Sequence, residues 1–347
     1  MKILIVTDAW FPQVNGVVRT LATTRAELEK MGHTVEVIAP DRFRTLPLPT
    51  YPEIRVAIRP GRRLARMIEE ARPDAIHIAT EGPLGFAARR FCLRYRIPFT
   101  TAYHTRFPEY VRDRAPIPLA LTYAIVRRFH APAHSVMVAT PSIEHDLRAR
   151  GFRNIRRWTR GVDTELFRPR PEVKGTALLD LPRPIFLYVG RVAVEKNIES
   201  FLKLDLPGSK VVVGDGPQRA ELQARYPKVH FAGAQHGEDL ARHYAAADVF
   251  VFPSRTDTFG LVLLEALASG LPVAAYPVAG PVDVLGPEAE GPDRVGVLDE
   301  DLGRAALAAL EIDPDRCRDF AMRYSWQASA QQFVNNLRPL TEEVRAA

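Results

Sequence analysis

Cysteine is almost missing from this sequence: Cys92 and Cys317 are the only two among 347 residues, and they stand far apart. A disulfide framework is thereby excluded, and a reducing compartment is expected. Long apolar runs are also lacking. The longest, "HSVMVAT" and "ADVFVFP", are strand-sized and far short of a bilayer span. No secretory-type leader precedes Asp8 in "MKILIVTDAWFP", so a cytoplasmic location is expected. Among nine histidines no pair has metal-ligand spacing, and His33, His77, His130 and His134 read as structural. The D-x-D strings "DED" at 299 and "DPD" at 313 lie in polar stretches away from strand ends, so no metal site and no cofactor are expected.

What is present is ordinary for a folded protein, with 46% hydrophobic and 25% charged residues. The length favours two domains over one. Charge is placed unevenly. Residues 1–170 hold 29 Lys plus Arg against 16 Asp plus Glu, and the remainder holds 18 against 25. A basic half joined to an acidic half suggests that the first half meets an anionic surface, either phospholipid headgroups or nucleic acid.

Strand and helix patterns alternate throughout. "MKILIVTDAW" reads as a buried parallel strand, the loop "FPQVNG" follows, "VVRTLATTRAELEKMG" reads as a helix ending at Gly32, and "HTVEVIAP" is the next strand. The pattern continues through "RPDAIHIA", a helix around "LGFAARRFCLRY", "IPFTTAYH" and "SVMVATP". A second series opens at "PRPIFLYVGRV" and runs through "SKVVVGDGP", "KVHFAGA", "ADVFVFPS" and "LPVAAYP". The fold class predicted is α/β, two doubly wound Rossmann-like domains facing across a cleft. Their expected bounds are 1–170 and 171–325, with a helical segment at 326–347 crossing back to the first.

In such sheets ligands bind outside the carboxyl ends of the strands, so the strand-to-helix turns are the places to search. Gly16, in "PQVNGVVRTL", precedes a helix whose entrance favours an anion, or simply completes an Asn-Gly turn. It belongs to neither a G-x-G-x-x-G nor a G-x-x-x-x-G-K-S/T loop. In "YVGRVAVEKNIESFL" two cations, Arg191 and Lys196, stand at a helix entrance, where the dipole disfavours them by roughly 0.3 to 1 kcal/mol. A diphosphate between them would resolve that conflict, with arginine offering a fork and lysine a point charge. Gly214 and Gly216 in "VVVGDGPQRAEL" either line the same crevice or merely turn. In "SRTDTFGLVLLEALASGLPV" a helix is predicted from Leu261 to Gly270, yet it carries Glu265 on an otherwise apolar segment and Gly260 at its entrance. A ribose offering two hydroxyls would satisfy that carboxylate, at roughly 1.5 to 3 kcal/mol per hydrogen bond.

Taken together, "NGVVRTL", "YHTRFPEY", "RGVDTELFRP", "GR" with "EKNI", "VVVGDGP" and "DTFGLVLLE" resemble the GT-B glycosyltransferases. The resemblance is to the retaining family-four enzymes, which include bacterial lipid mannosyltransferases and glycosyl-diacylglycerol synthases. It implies that Arg191 and Lys196 clamp the donor diphosphate and Glu265 holds the ribose. Phe259, Gly260 and Leu261, with Thr258 beside them, would present the backbone to phosphates and sugar, and Gly216 would line the donor site. Asp257 falls where most members have glutamate, shorter by one methylene, about 1.5 Å. It would approach the transferred sugar, as would His104 from the first domain. Gly16 would lie beside phosphate and acceptor, and Asn15, Arg19, Tyr103 and His104 would form the acceptor side.

The resemblance further implies a nucleotide-diphosphate sugar as donor (GDP-mannose, UDP-glucose or UDP-glucuronate) and metal-independent transfer with retention. It also implies a lipid acceptor such as diacylglycerol or a phosphoinositol lipid. With the basic first half, this predicts an enzyme peripheral on the inner face of the cell membrane, with no nucleic-acid partner. "RPGRRLARMIEE" is a possible interfacial helix through Leu64, Met67 and Ile68, and "RDRAPIPLALTYAIVRRFH" adds basic and apolar character. The alternatives are a nucleotide-sugar epimerase or another GT-B enzyme without a lipid acceptor, or a basic nucleic-acid-binding module.

Overall fold

The computed structural model describes residues 1–13, 15–48, 54–114, 117–173, 180–257 and 259–340. Thr258, expected at the donor site, lies outside them. The chain forms two compact units, Met1–Thr159 with Trp326–Ala347, and Arg160–Ser325. It leaves the first unit at Thr159, ahead of the proline-punctuated stretch near 168–180 where the crossing was expected.

In the first unit β1 (Lys2–Val6), α1 (Gly16–Lys30) and β2 (Thr34–Ile38) make one parallel strand-helix-strand step. A short antiparallel ribbon follows, β3 (Thr45–Pro47) with β4 (Arg55–Ala57), which alternation alone did not signal. Then come α2 (Gly61–Ala71), β5 (Ala75–Ile78), α3 (Pro83–Arg94), β6 (Thr100–Tyr103), α4 (Phe107–Arg114), α5 (Leu119–His130), β7 (Val136–Val138), α6 (Pro141–Ala149) and β8 (Ile155–Arg157). The six parallel strands lie in the order β2-β1-β5-β6-β7-β8.

Side-chain alternation along β1 explains the two layers. Leu4 and Val6 pack with Leu64, Met67, Leu84 and Phe91 of α2 and α3. Ile3 and Ile5 pack on the other face with Leu21 and Leu28 of α1 and with Phe333. That phenylalanine belongs to Trp326–Asn336, the last helix among the described residues, which completes the first unit's core. Because Leu64, Met67 and Ile68 of α2 are buried in the core, that helix has no apolar face left for a membrane, and the interfacial reading of "RPGRRLARMIEE" is corrected.

The second unit repeats the plan. It comprises β9 (Ile185–Val189), α7 (Ile198–Leu202), β10 (Ser209–Val213), α8 (Arg219–Arg225), β11 (His230–Gly233), α9 (Gly237–Ala246) and β12 (Val249–Phe252). After these come α10 (Leu261–Ala268), β13 (Val273–Ala275), α11 (Ala279–Leu285), β14 (Gly296–Leu298), α12 (Leu302–Ala309) and α13 (Pro314–Ala321), and the helix Trp326–Asn336 is α14. Strand order is β11-β10-β9-β12-β13-β14, again all parallel.

Each sheet grows first to one side of its opening strand and then to the other. The reversal falls between β1 and β5 in the first unit and between β9 and β12 in the second. In sheets of this kind the ligand crevice is expected outside the carboxyl ends of the strands at such a reversal.

Candidate functional site

At the second reversal the loop after β9, 190–197, meets the loop after β12, 253–260. Three hydrogen bonds brace them. Asn197 Nδ2 donates to the Pro253 carbonyl at 3.1 Å, Thr256 Oγ1 to the Glu195 carbonyl at 3.2 Å, and Lys196 Nζ to Asp257 Oδ1 at 2.5 Å. Asn197 makes this possible by turning left-handed, φ 51°, between the 3-10 turn of Lys196 and α7. An asparagine tolerates that conformation better than most side chains.

The brace leaves polar capacity over. Asp257 Oδ2 and Ser254 Oγ are buried and have no hydrogen-bond partner among the described residues. Buried polar atoms are rarely left so, and two of them in one loop at a sheet reversal mark a place for a ligand.

Arg191 reaches the same loop through an anchored backbone. The hydroxyl of Tyr188 donates to its carbonyl at 2.8 Å. Burial first, and then the charges of Asp257 and Glu195, push the Tyr188 phenol well above its ordinary pKa, so it stays a donor. A side chain at Gly190 would press on that hydroxyl.

Gly214 and Gly216 are both required by packing. A Cβ on either would collide with backbone of the β9 loop, at Gly190 and Val192 respectively. The loop after β10 is hydrogen-bonded flat against it, Val192 N–H to Asp215 and Gln218 N–H to Val192. Packing alone calls for glycine at 216, and Gly216 thereby holds the loop that carries Arg191.

Helix α10 begins where expected, with Gly260 as its N-cap in the left-handed region, φ 81°. Phe259 is buried, Leu261 opens the helix, and Glu265 is only 3% exposed. Its Oε2 accepts from the Tyr244 hydroxyl of α9 at 2.9 Å. That hydrogen bond meets part of the cost of burying this carboxylate. Gly280 of α11 lets that helix approach the Asp257 carbonyl. Sequence reading missed the roles of Tyr188, Asn197, Tyr244 and Gly280: Tyr188 and Asn197 stand within the quoted "YVGRVAVEKNIESFL" but carry no charge that draws notice, and Asn197, Tyr244 and Gly280 act on residues distant in the chain.

In the first unit the corresponding reversal joins the loops after β1 and β5. Asp8 Oδ1 accepts from Leu84 N–H at 2.9 Å, and its Oδ2 from Gly85 N–H at 3.2 Å and Thr80 Oγ1 at 3.0 Å. The carboxylate thus caps α3, and its burial raises its pKa despite those three bonds.

Asn15 Oδ1 caps α1 by accepting from Val17 and Val18 N–H, both at 3.0 Å, so this oxygen is engaged in the fold. Gly16 has an ordinary φ, and a Cβ there would meet nothing within 4 Å. The fold does not demand glycine at that helix entrance; open space is what it provides. Arg19 is exposed one turn further on.

His104 follows directly on β6, with its ring edge-on to Trp158, centroids 5.6 Å apart. Tyr103 is different. It is buried with Val126, Ile143 and Phe152, and burial raises its phenol pKa, so the structure assigns it to the core and corrects its place among acceptor residues.

The fold built from these two units is that of the GT-B glycosyltransferases. It aligns with TM-score 0.74 to the sucrose-phosphate synthase of Thermosynechococcus elongatus, at 23% identity over 96% of this chain and 97% of the other. With Anabaena HepE in complex with UDP and glucose the TM-score is 0.72, at 16% identity over 96% and 98%.

Residues 14–166 match Glycosyltransferase Family 4, and residues 183–311 match Glycosyl transferases group 1. The GDP-mannose-dependent alpha-mannosyltransferase of Mycobacterium tuberculosis is 32% identical over 89% of this chain and 91% of its own length. Sulfoquinovosyl transferase SQD2 of Arabidopsis thaliana is 31% identical over 96% of this chain and 72% of its own. For the alpha-monoglucosyldiacylglycerol synthase of Streptococcus pneumoniae the figures are 28%, 96% and 83%. The chain belongs to glycosyltransferase family 4 and is a glycosyltransferase, which favours that reading over the epimerase and the nucleic-acid module.

Proposed function

We propose that the protein transfers a hexosyl group, with retention and without a metal, from a nucleotide-diphosphate sugar to a hydroxyl of a lipid at a membrane surface. The observation that carries the donor half is the braced reversal of the second sheet. Lys196 is held there against Asp257, beside two buried polar atoms without partners, and the Arg191 backbone is anchored in the same loop. In this reading Arg191 and Lys196 neutralise charge building on the leaving diphosphate, the dominant demand of such a reaction, and the amides at Phe259, Gly260 and Leu261 assist. Thr258 is included from the motif alone. Glu265 accepts from the ribose, and Asp257, which already accepts from Lys196, offers its second oxygen to the sugar. His104 faces the sugar from the first unit, and Gly16 leaves room for phosphate and acceptor beside Asn15 and Arg19.

The names of relatives support a lipid acceptor, since one is a glucosyldiacylglycerol synthase. Membrane contact is assigned to α5 instead of α2. Leu121 and Ile125 stand 54% and 53% exposed on one side of α5, with Ile117 just ahead of it and Arg127 and Arg128 at its end. An apolar ridge edged by arginine suits the interface of an anionic leaflet. Among the described residues no helix is long and apolar enough to cross a membrane. The location proposed is the inner face of the cell membrane.

The test incubates the protein with labelled GDP-mannose, UDP-glucose and UDP-glucuronate, each with dioleoylglycerol or phosphatidylinositol in anionic vesicles, with and without a chelator. Labelled lipid is the expected product, undiminished by the chelator. Donor hydrolysis with no labelled lipid for any pair refutes the acceptor class.

A further inference from the structure

His130 is 1% exposed, packed among the rings of Tyr103, Phe129 and Phe152, yet both of its nitrogens are engaged. Nδ1 lies 2.8 Å from Thr101 Oγ1, and Nε2 lies 3.0 Å from Glu81 Oε1. A carboxylate oxygen only accepts, so Nε2 carries a hydrogen; in the neutral ring Nδ1 then accepts from the Thr101 hydroxyl. The chain of contacts runs from a strand, through a helix end, to one carboxylate in the loop after β5. That loop leaves the carboxyl end of β5 at the first sheet's reversal, where a ligand crevice is expected.

Packing does not require Glu81. The entrance of α3 is already capped by Asp8, which accepts from both Leu84 and Gly85. The cavity filled by the His130 ring is aromatic-lined, and a hydrocarbon ring would fill it without needing hydrogen bonds. What the pair does is fix Glu81. One oxygen is held from below, the side chain stays 20% exposed, and His130 is its only hydrogen-bond partner among the described residues. Asp8, close enough for the two acids to repel, supplies no hydrogen to it.

We infer that Glu81, aimed by buried His130, binds a hydroxyl of the acceptor in the first unit's crevice, with His130 as the positioning residue. A fixed acceptor-only group at a sheet reversal selects a ligand that donates hydrogen bonds, which fits a polyol such as a glycerol or inositol moiety. The inference deepens the proposed function and rests on its hydroxyl acceptor, whether that hydroxyl is on a lipid or on a free polyol.

The test measures initial rates for wild type, E81A, E81Q, H130F and E81A/H130F against four probes: dioleoylglycerol and phosphatidylinositol in anionic vesicles, and free glycerol and myo-inositol. E81A is expected to raise the acceptor KM about tenfold to hundredfold, the worth of a hydrogen bond to a charged group, while GDP or UDP affinity stays within about twofold. E81Q, still able to accept, loses less. H130F, which keeps the ring volume but frees Glu81, raises acceptor KM by a smaller factor, and E81A/H130F is no worse than E81A. A histidine that only packs would instead alter thermal stability and leave KM unchanged.

Transfer to a free polyol but not to either lipid refutes the lipid reading while testing Glu81 in full. The inference is overturned by an unchanged acceptor KM in E81A with any active probe, by additive losses in the double variant, or by donor turnover that responds to none of the four.

Discussion

Replacing Lys196 by alanine separates stability from chemistry at the second crevice. The ammonium donates to Asp257 at 2.5 Å, with the side chains 23% and 18% exposed. An exposed ion pair is worth about 0 to 1 kcal/mol, and a hydrogen bond to a charged group about 1.5 to 3 kcal/mol. With each partner keeping roughly a fifth of its surface in water, we expect the second unit to lose about 1 kcal/mol, a Tm fall of about 2 to 4 °C. If the same ammonium also answers charge on the departing diphosphate, its loss lowers kcat about a hundredfold to a thousandfold, or about 2.7 to 4 kcal/mol. D257N provides the control. It removes the same ion pair, so it should match K196A in stability while retaining more nucleotide affinity. Differential scanning calorimetry gives the first quantity; GDP and UDP titrations with donor turnover give the second. A folded K196A with unchanged nucleotide affinity and turnover would refute the assignment of this crevice to the donor.

Three further outcomes follow from particular contacts. E265Q should weaken nucleotide binding about tenfold or more, whereas Y244F, which removes one hydrogen bond to Glu265, should cost about 1 kcal/mol in stability and a smaller factor in affinity, both read by titration and thermal unfolding. L121D with I125D should abolish sedimentation with anionic vesicles while leaving nucleotide binding intact, and wild-type binding should weaken with salt; equal binding by the variant removes α5 from the membrane face. Asp8 has a folded-state pKa above its ordinary 3.8, so the folded state binds more protons than the unfolded one. Its contribution to stability is therefore greatest below 3.8 and declines as pH rises toward the folded value; D8N should lack this decline in urea midpoints measured across that window.

The helix from Leu261, its glycine entrance and its single acid were legible because they are local: spacing, capping chemistry and one residue out of keeping with its neighbours. Most of the parallel strands read correctly for the same reason, being near-continuous apolar runs, whereas the short β3, β4, β8 and β14 carry no such run and were not read. Order among the motifs identified the family.

Burial and partnership were not legible in this way. Tyr103 and His104 are adjacent in the chain, yet one is core and the other meets Trp158 at the strand end, a difference set by which helices cover β6. Leu64 and Leu121 both lie on basic, apolar helices. The first is buried and the second exposed, because α2 packs its apolar face on the sheet while α5 leaves a ridge outside. Gly214 and Gly216 read equally as crevice-lining or as turn residues, and only the sheet order showed that their loop packs against the backbone at Gly190 and Val192.

By itself, then, the sequence determined the alternation of strands and helices and the strand-end turns that are candidate ligand sites, which depend on residues near one another in the chain, and, through the order of its motifs, the family. Tertiary structure alone decided that Lys196 meets Asp257, that Tyr244 meets Glu265, and that Glu81 meets His130. These pairs join elements 21 to 61 residues apart, and local periodicity carries no information on which strand lies beside which.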